Sequence, residues 1–176
     1  MIIIITFWAA RSLKLTACVF VSFVLIGYFG MWDNTMRTLA ITLVATLLSI
    51  IFGLPIGIMM SRSDRFQNTM TPLLDIMQTM PAFVYLIPVV MLLGIGKIPG
   101  IIAVVIYAIP PLIRLTNLGI RLVDQEVLEA ASSFGATRLQ RLLNVQLPLA
   151  MPTIMAGINQ TIMMALSMVV IASMIG

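Results

Sequence analysis

Apolar runs of membrane-crossing length, separated by short polar breaks, make up most of this chain. Residues 15 to 32, LTACVFVSFVLIGYFGMW, follow Arg11 and Lys14. A helix needs roughly 20 apolar residues to cross a hydrocarbon layer about 30 Å thick, and this run approaches that length. It has a basic flank but no small-residue cleavage site, so it reads as an uncleaved first span rather than a removed leader. Residues 38 to 60 form a second run after Asp33 and Arg37, and SRSDRFQN at 61 to 68 reads as a polar turn. A third run extends from about Met70 to Leu93, GKIPG marks a turn at Gly96 to Gly100, a fourth run covers roughly Ile101 to Leu115, and a fifth runs from about Leu149 to the last residue. The opening decapeptide MIIIITFWAA is apolar but too short to cross. It suits an interfacial position, or a start site upstream of the true one. The pattern predicts an all-α polytopic membrane protein with about five transmembrane helices.

One long polar stretch interrupts the series, LGIRLVDQEVLEAASSFGATRLQRLLNVQLP at residues 118 to 148. Its Asp124, Glu126, Glu129, Arg121, Arg138 and Arg141 would each be costly among lipid tails, so the stretch faces water. Its local signals predict a helix, a bend and a second helix. Asp124 can cap the first helix, with Glu126 in the first turn where the dipole favours an anion. Gly135 is the natural stop, because a residue just past a helix end often takes positive φ. Thr137 can cap the second helix, in which Leu139, Leu142 and Leu143 fall on one face and Arg138 and Arg141 on another. Pro148, lacking an N–H, is expected to close it.

These residues also carry a resemblance. Glu129, Ala130 and Ala131, then Gly135 after three residues, Val145 after nine more, and Leu147 and Pro148 after one, resemble the EAA loop of permease subunits in ATP-binding-cassette (ABC) importers. The sequence departs from that pattern in having Val145 where isoleucine is commonest. The resemblance implies a type I ABC importer permease fold, in which the loop forms coupling helices that dock on an ATPase subunit. The flanking stretch from Gln78 to Arg121 and the final VIASMIG resemble the permeases of glycine betaine, proline betaine, choline and carnitine importers. Residues 38 to 176 are therefore expected to be the permease core, with the coupling loop at 118 to 148, and residues 1 to 37 an amino-terminal segment holding the first span. Members of that family continue through further residues, so the chain is expected to be short at its carboxyl end.

Composition agrees and sharpens the picture. A mean hydropathy of +1.13 over 176 residues describes one membrane domain. Counting basic residues at span ends, the bias that sets topology, puts Arg11, Lys14, Arg62, Arg65, Arg114, Arg121, Arg138 and Arg141 on one side and Arg37 and Lys97 on the other. That places the amino terminus and the coupling loop in the cytoplasm of a cell whose plasma or inner membrane the chain crosses. The net charge of +4 is spread singly and makes no nucleic-acid footprint. With no histidine and a single Cys18 in an apolar run, metal binding, internal disulfides and His-based catalysis are not expected, and no cofactor is called for. No phosphate-binding glycine loop is present, so the chain is not expected to be an enzyme in its own right.

Polar groups inside the apolar runs are candidates for a path. Asp75 and Gln78 lie near the cytoplasmic end of the third run, and Asn159 and Gln160 in the fifth. Asp75 reads either as a solvated residue at the membrane surface, or as part of a helix contact or path. Asn159 and Gln160 point about 100° apart on a helix, so one is assigned to packing and the other to the path. Pro110 and Pro111 are expected to kink or interrupt the fourth run. Gly53 and Gly57 form a small-xxx-small pair that could let another helix approach closely, but in so apolar a chain chance explains the spacing better. The thirteen aromatics are scattered, which favours substrate selection by an extracytoplasmic binding protein over selection here.

The resemblance implies a permease dimer, most simply a homodimer, working with an ATP-binding subunit and that binding protein to import a quaternary-ammonium compatible solute. The alternatives are an ABC permease for another small solute such as an amino acid, a stand-alone secondary transporter or channel, and a membrane scaffold. The secondary transporter would want an inverted repeat and midplane ionisable groups.

Overall fold

A computed structural model describes residues 13 to 174; the opening decapeptide, Arg11 and the last two residues of VIASMIG lie outside the described residues. The chain divides into two compact units, Met1–Ala40 and Ile41–Gly176. In the first, α1 (Leu13–Tyr28) has 16 described residues and carries the exposed, free Cys18. The run expected to continue to Trp32 turns instead at Gly30, where φ is 67°. Met31 donates its N–H to Ile26 and Gly30 to Gly27, the paired bonds with which a glycine terminates a helix. Helix α2 (Trp32–Arg62) starts in this unit and continues into the next.

The second unit holds the remainder of α2 with α3 (Asp64–Thr79), α4 (Ala82–Leu93), α5 (Lys97–Arg121), α6 (Gln125–Ser133), α7 (Arg138–Arg141), a π-helical turn (Leu142–Gln146) and α8 (Leu147–Ala172). All regular structure among the described residues is helical. Three helical stretches, Trp32–Arg62, Lys97–Arg121 and Arg138–Ala172, are long and apolar enough to cross a membrane, and the bent pair α3–α4 offers a fourth crossing. The expected count of five is therefore approximate, with α1 among the shorter apolar helices.

Several expected boundaries move, each for a local reason. The polar turn at 61 to 68 shrinks to Ser63, whose hydroxyl accepts from Phe66 N–H at 3.3 Å and caps α3. The third run does not cross as one helix. It breaks between Thr79 and Ala82 and bends by 97°. Pro81 disfavours the α conformation at its predecessor, and Met80 is extended at φ −75°, ψ 134°. The Tyr85 hydroxyl donates across the break to the Met77 carbonyl, filling one acceptor that the bend leaves free. The turn before the fourth run centres on Gly94, at φ 79°, and Gly96. Lys97 already begins α5, and Pro99 sits in the first turn, where a missing N–H costs nothing. Pro110 and Pro111 do not interrupt α5. Both are buried inside one continuous helix.

Helix α5 is the hub of this unit, packing on α3, α4 and most extensively on α8. Close approach is bought with missing side chains. A Cβ on Gly57 of α2 would lie 2.6 Å from Thr116 Cβ and 2.9 Å from the Ile113 carbonyl oxygen of α5. One on Gly119 of α5 would lie 2.9 Å from Thr153 Cβ of α8, and one on Gly157 of α8 would lie 3.1 Å from Leu115 Cβ of α5. The Gly53–Gly57 pair is thus a helix contact and not a chance spacing. The buried hydroxyls of Thr46, Ser49, Thr116 and Thr161 have no hydrogen-bond partner, so at these contacts tight packing of small residues, and not hydroxyl hydrogen bonding, holds the helices together. An apolar cluster of Ala45, Leu86, Ala103, Val104, Ala108, Ala165 and Met168 fills the core.

Candidate coupling site and membrane path

The polar stretch folds as a short helical hairpin. Asp124 Oδ1 accepts from Glu126 N–H at 2.9 Å and caps α6. At its other end Gly135 has φ 79°, with Ala136 donating to the Ala131 carbonyl and Gly135 to Ser132. This is the same glycine termination that closes α1. Thr137 then caps α7, accepting from Gln140 N–H at 3.3 Å while the Gln140 side chain accepts from Thr137 N–H at 2.8 Å. The sequence signal for this reciprocal box is Thr-x-x-Gln, Thr137 to Gln140. Arg141 Nη1 donates to Ser132 Oγ at 2.8 Å, tying α7 back to α6 across the bend.

The second helix does not end at Pro148. Residues 138 to 172 form one helical stretch. The π turn carries the chain past the proline. Leu147 donates its N–H to the Leu142 carbonyl, five residues back, and Pro148 falls in the opening turn of α8. A widened turn shifts the hydrogen-bond register where the proline has no N–H to give. The expected leucine face is realised only in part. Leu142 is buried with Ile120, Ala150 and Ile154, while Leu139 and Leu143 remain exposed.

Of the predicted coupling residues, Glu129, Ala130, Gly135 and Pro148 are exposed, and Ala131, Val145 and Leu147 are half-buried. Glu129 and Gly135 thus lie on one open hairpin. Phe134, which is not among the residues expected from sequence, is 92% exposed at the tip beside Gly135. Its signal was an aromatic inside an otherwise polar stretch.

The path candidates are not gathered into one site. Asp75 is ion-paired with Arg114 of α5, the helix contact that the sequence left as one option. Gln78, Asn159 and Gln160 are exposed in the single chain, so both members of the Asn159–Gln160 pair lie on the surface of α8. Aromatic rings occur in pairs, Phe23 with Trp32, Tyr28 with Phe29, and Tyr85 with Tyr107 at 5.6 Å between centroids. Among the described residues no group of three or more His, Cys, Asp or Glu side chains is arranged to hold a metal.

Residues 49 to 176 match the family described as "Binding-protein-dependent transport system inner membrane component". The chain belongs to that family. This inner membrane component is 55% identical over 168 residues to the glycine betaine/proline betaine transport system permease protein ProW of Escherichia coli, covering 96% of this chain and 48% of ProW. It is 50% identical to the glycine betaine transport system permease protein OpuAB of Bacillus subtilis, over 96% of this chain and 60% of that one. With the glycine betaine/carnitine transport permease protein GbuB of Listeria monocytogenes the identity is 52%, over 97% and 62%. The chain therefore spans roughly half to three-fifths of the length of these relatives. A chain of the inward-facing MetNI methionine ABC transporter superposes with a TM-score of 0.69 at 22% identity, covering 78% of this chain and 71% of that chain. That likeness shows the fold alone, the membrane-helix arrangement of that ABC transporter chain.

Proposed function

We propose that this inner membrane component is the permease subunit of an ABC importer that moves a quaternary-ammonium compatible solute, such as glycine betaine, proline betaine, choline or carnitine, into the cell. The observation that carries the reading is the capped, exposed hairpin of α6 and α7, joined without a break to a membrane helix. It is accompanied by close similarity to permeases named for glycine betaine. Alternating access follows from it. A partner ATPase closes on ATP, the hairpin moves with it, and α5 and α8, which flank the hairpin, carry the motion into the membrane. An ATPase can bias the two access states only by contacting them differently, and the hairpin offers it a grip. The exposed Glu129 supplies charge and Phe134 an apolar knob. An extracytoplasmic binding protein delivers the solute, two copies of the permease enclose the path, and Asp75, Gln78, Asn159 and Gln160 are its candidate lining.

The basic residues of the second unit support a cytoplasmic hairpin. Arg121 reaches the corner between α2 and α3, next to Arg62 and Arg65, while Lys97 sits at the opposite end of α5. That is the positive-inside pattern. In a strain lacking this chain, its return together with an ATPase and a binding protein is expected to restore accumulation of labelled glycine betaine. Failure with betaine, choline and carnitine alike would overturn the solute assignment. Glu129→Lys is expected to reduce co-purification of the ATPase about tenfold or more, since a charge-assisted hydrogen bond is worth about 1.5–3 kcal/mol. Undiminished co-purification would remove Glu129 from the dock.

A further inference from the structure

Two arginines of α5 meet two aspartates of α3, and the proposed function gives no role to the pairing itself. Arg121 Nη2 lies 2.7 Å from Asp64 Oδ1 and donates to the Met60 carbonyl at 3.2 Å, while its Nε donates to Asn117 Oδ1 at 3.1 Å. Arg114 pairs with Asp75. On α5, positions 114, 117 and 121 share one face, and on α3 the 11-residue interval from 64 to 75 is about three turns, so the two aspartates share a face as well. The pairing is antiparallel, with the start of α3 on the end of α5. Between the two ion pairs lies an apolar patch of Met60, Leu74 and Ile113, with Phe66 and Met70 against it. Met60 belongs to the last turn of α2, where carbonyls run out of intrahelical donors, so Arg121 also fastens the corner between α2 and α3. Only Leu122, Val123 and Asp124 separate Arg121 from α6.

We infer that Arg114 and Arg121 are positioning residues which clamp α3 to α5 at two points, so that displacement of the coupling hairpin is delivered to the bent α3–α4 pair as well as to α5 and α8. Exposed ion pairs of this kind add little to stability. What two of them do, placed at opposite ends of an apolar contact, is fix its register. A planar, forked guanidinium holding a carboxylate, a carbonyl and an amide oxygen at once sets a geometry that lysine cannot reproduce. Helix α3 then has no independent freedom to slide while α5 moves.

The inference rests on the importer reading, and its test separates the two. The complete complex of permease, ATPase and binding protein is reconstituted in vesicles, and glycine betaine moved per ATP hydrolysed is measured. Wild-type complex that hydrolyses ATP and accumulates no quaternary-ammonium solute overturns the importer reading and the clamp's role with it. With wild-type uptake present, Asp75→Arg and Arg114→Asp are each expected to lower the ratio about fivefold or more, and their combination to restore it to within about twofold. Arg121→Lys is expected to lower the ratio while the complex stays assembled. Wild-type ratios in the single variants, or no recovery in the exchanged pair, overturn the clamp alone. Spin labels on Asn68→Cys and Leu118→Cys in a Cys18→Ser complex give a second readout. Their separation is expected to stay fixed between nucleotide-free and ATP-trapped states, and to change between them once Arg114 and Arg121 are both alanine; a separation that already changes with the arginines in place overturns the clamp.

Discussion

Gly135→Asp is expected to leave the membrane helices assembled while cutting the solute moved per ATP about tenfold or more. The hairpin depends on a backbone conformation at this position, φ 79°, that costs an L-residue roughly 1–2 kcal/mol, with aspartate at the lower end of that range. A carboxylate here also sits against the carbonyl end of α6, where the helix dipole disfavours negative charge by about 0.3–1 kcal/mol. Together these terms reach the 1.4 kcal/mol that corresponds to a tenfold change in an equilibrium. No atom lies within 4 Å of a Cβ built on Gly135, so the change creates no clash and the spans have no reason to misfold. Gly135→Asn separates the two causes, because asparagine shares aspartate's partial tolerance of the left-handed conformation and brings no charge. It is expected to couple better than the aspartate variant and less well than glycine. Measured uptake and ATP hydrolysis in vesicles decide the matter, and normal coupling in the aspartate variant would show that the bend is not what transmits the motion.

The second large effect is on assembly. Gly57→Val should lower the melting temperature of the detergent-solubilised chain markedly, because the first added carbon meets Thr116 Cβ at 2.6 Å and a backbone carbonyl at 2.9 Å. Neither atom is the free end of a flexible side chain, so α2 and α5 must separate. Overpacking of this kind costs about 1–3 kcal/mol, and more when branched atoms follow, and each kcal/mol shifts melting by about 2–4 °C for a chain of this size. Gly100→Ala is the control. It lies inside α5 with nothing within 4 Å of its Cβ, so the alanine is expected to leave melting unchanged or raise it slightly. Equal melting of the two variants would mean that α2 and α5 do not approach as closely as described.

What could be read from sequence was what local chemistry decides. Asp124, Gly135 and Thr137 act within a few residues of themselves, and each caps or terminates a helix as its residue type dictates. What could not be read depended on neighbours distant in sequence. Pro81 breaks a run and Pro110 and Pro111 do not, although all three lack the same donor. Pro81 falls where the chain turns by 97°, whereas Pro110 and Pro111 are buried in the packed face of α5. Likewise the spacing of Gly53 and Gly57 gives no hint of a partner helix until Ile109, Leu112 and Thr116 are seen against it. The choice between a solvated and a paired Asp75 stays open in sequence because its partner, Arg114, lies 39 positions further along. The exposure of Phe134 is different again, since a hydrophobic knob without a socket in its own chain is visible only once everything else has found its place.

The wide turn at Leu142–Gln146 sets the phase between two parts of one rod. Each residue of an α-helix advances the chain by about 100°, so one residue more or fewer in that turn would rotate the Arg138–Arg141 segment by more than a quarter revolution against α8. The azimuth at which the hairpin presents itself is thus fixed by the length of the turn, and the side chains on the hairpin can vary only within the direction that this length has already chosen.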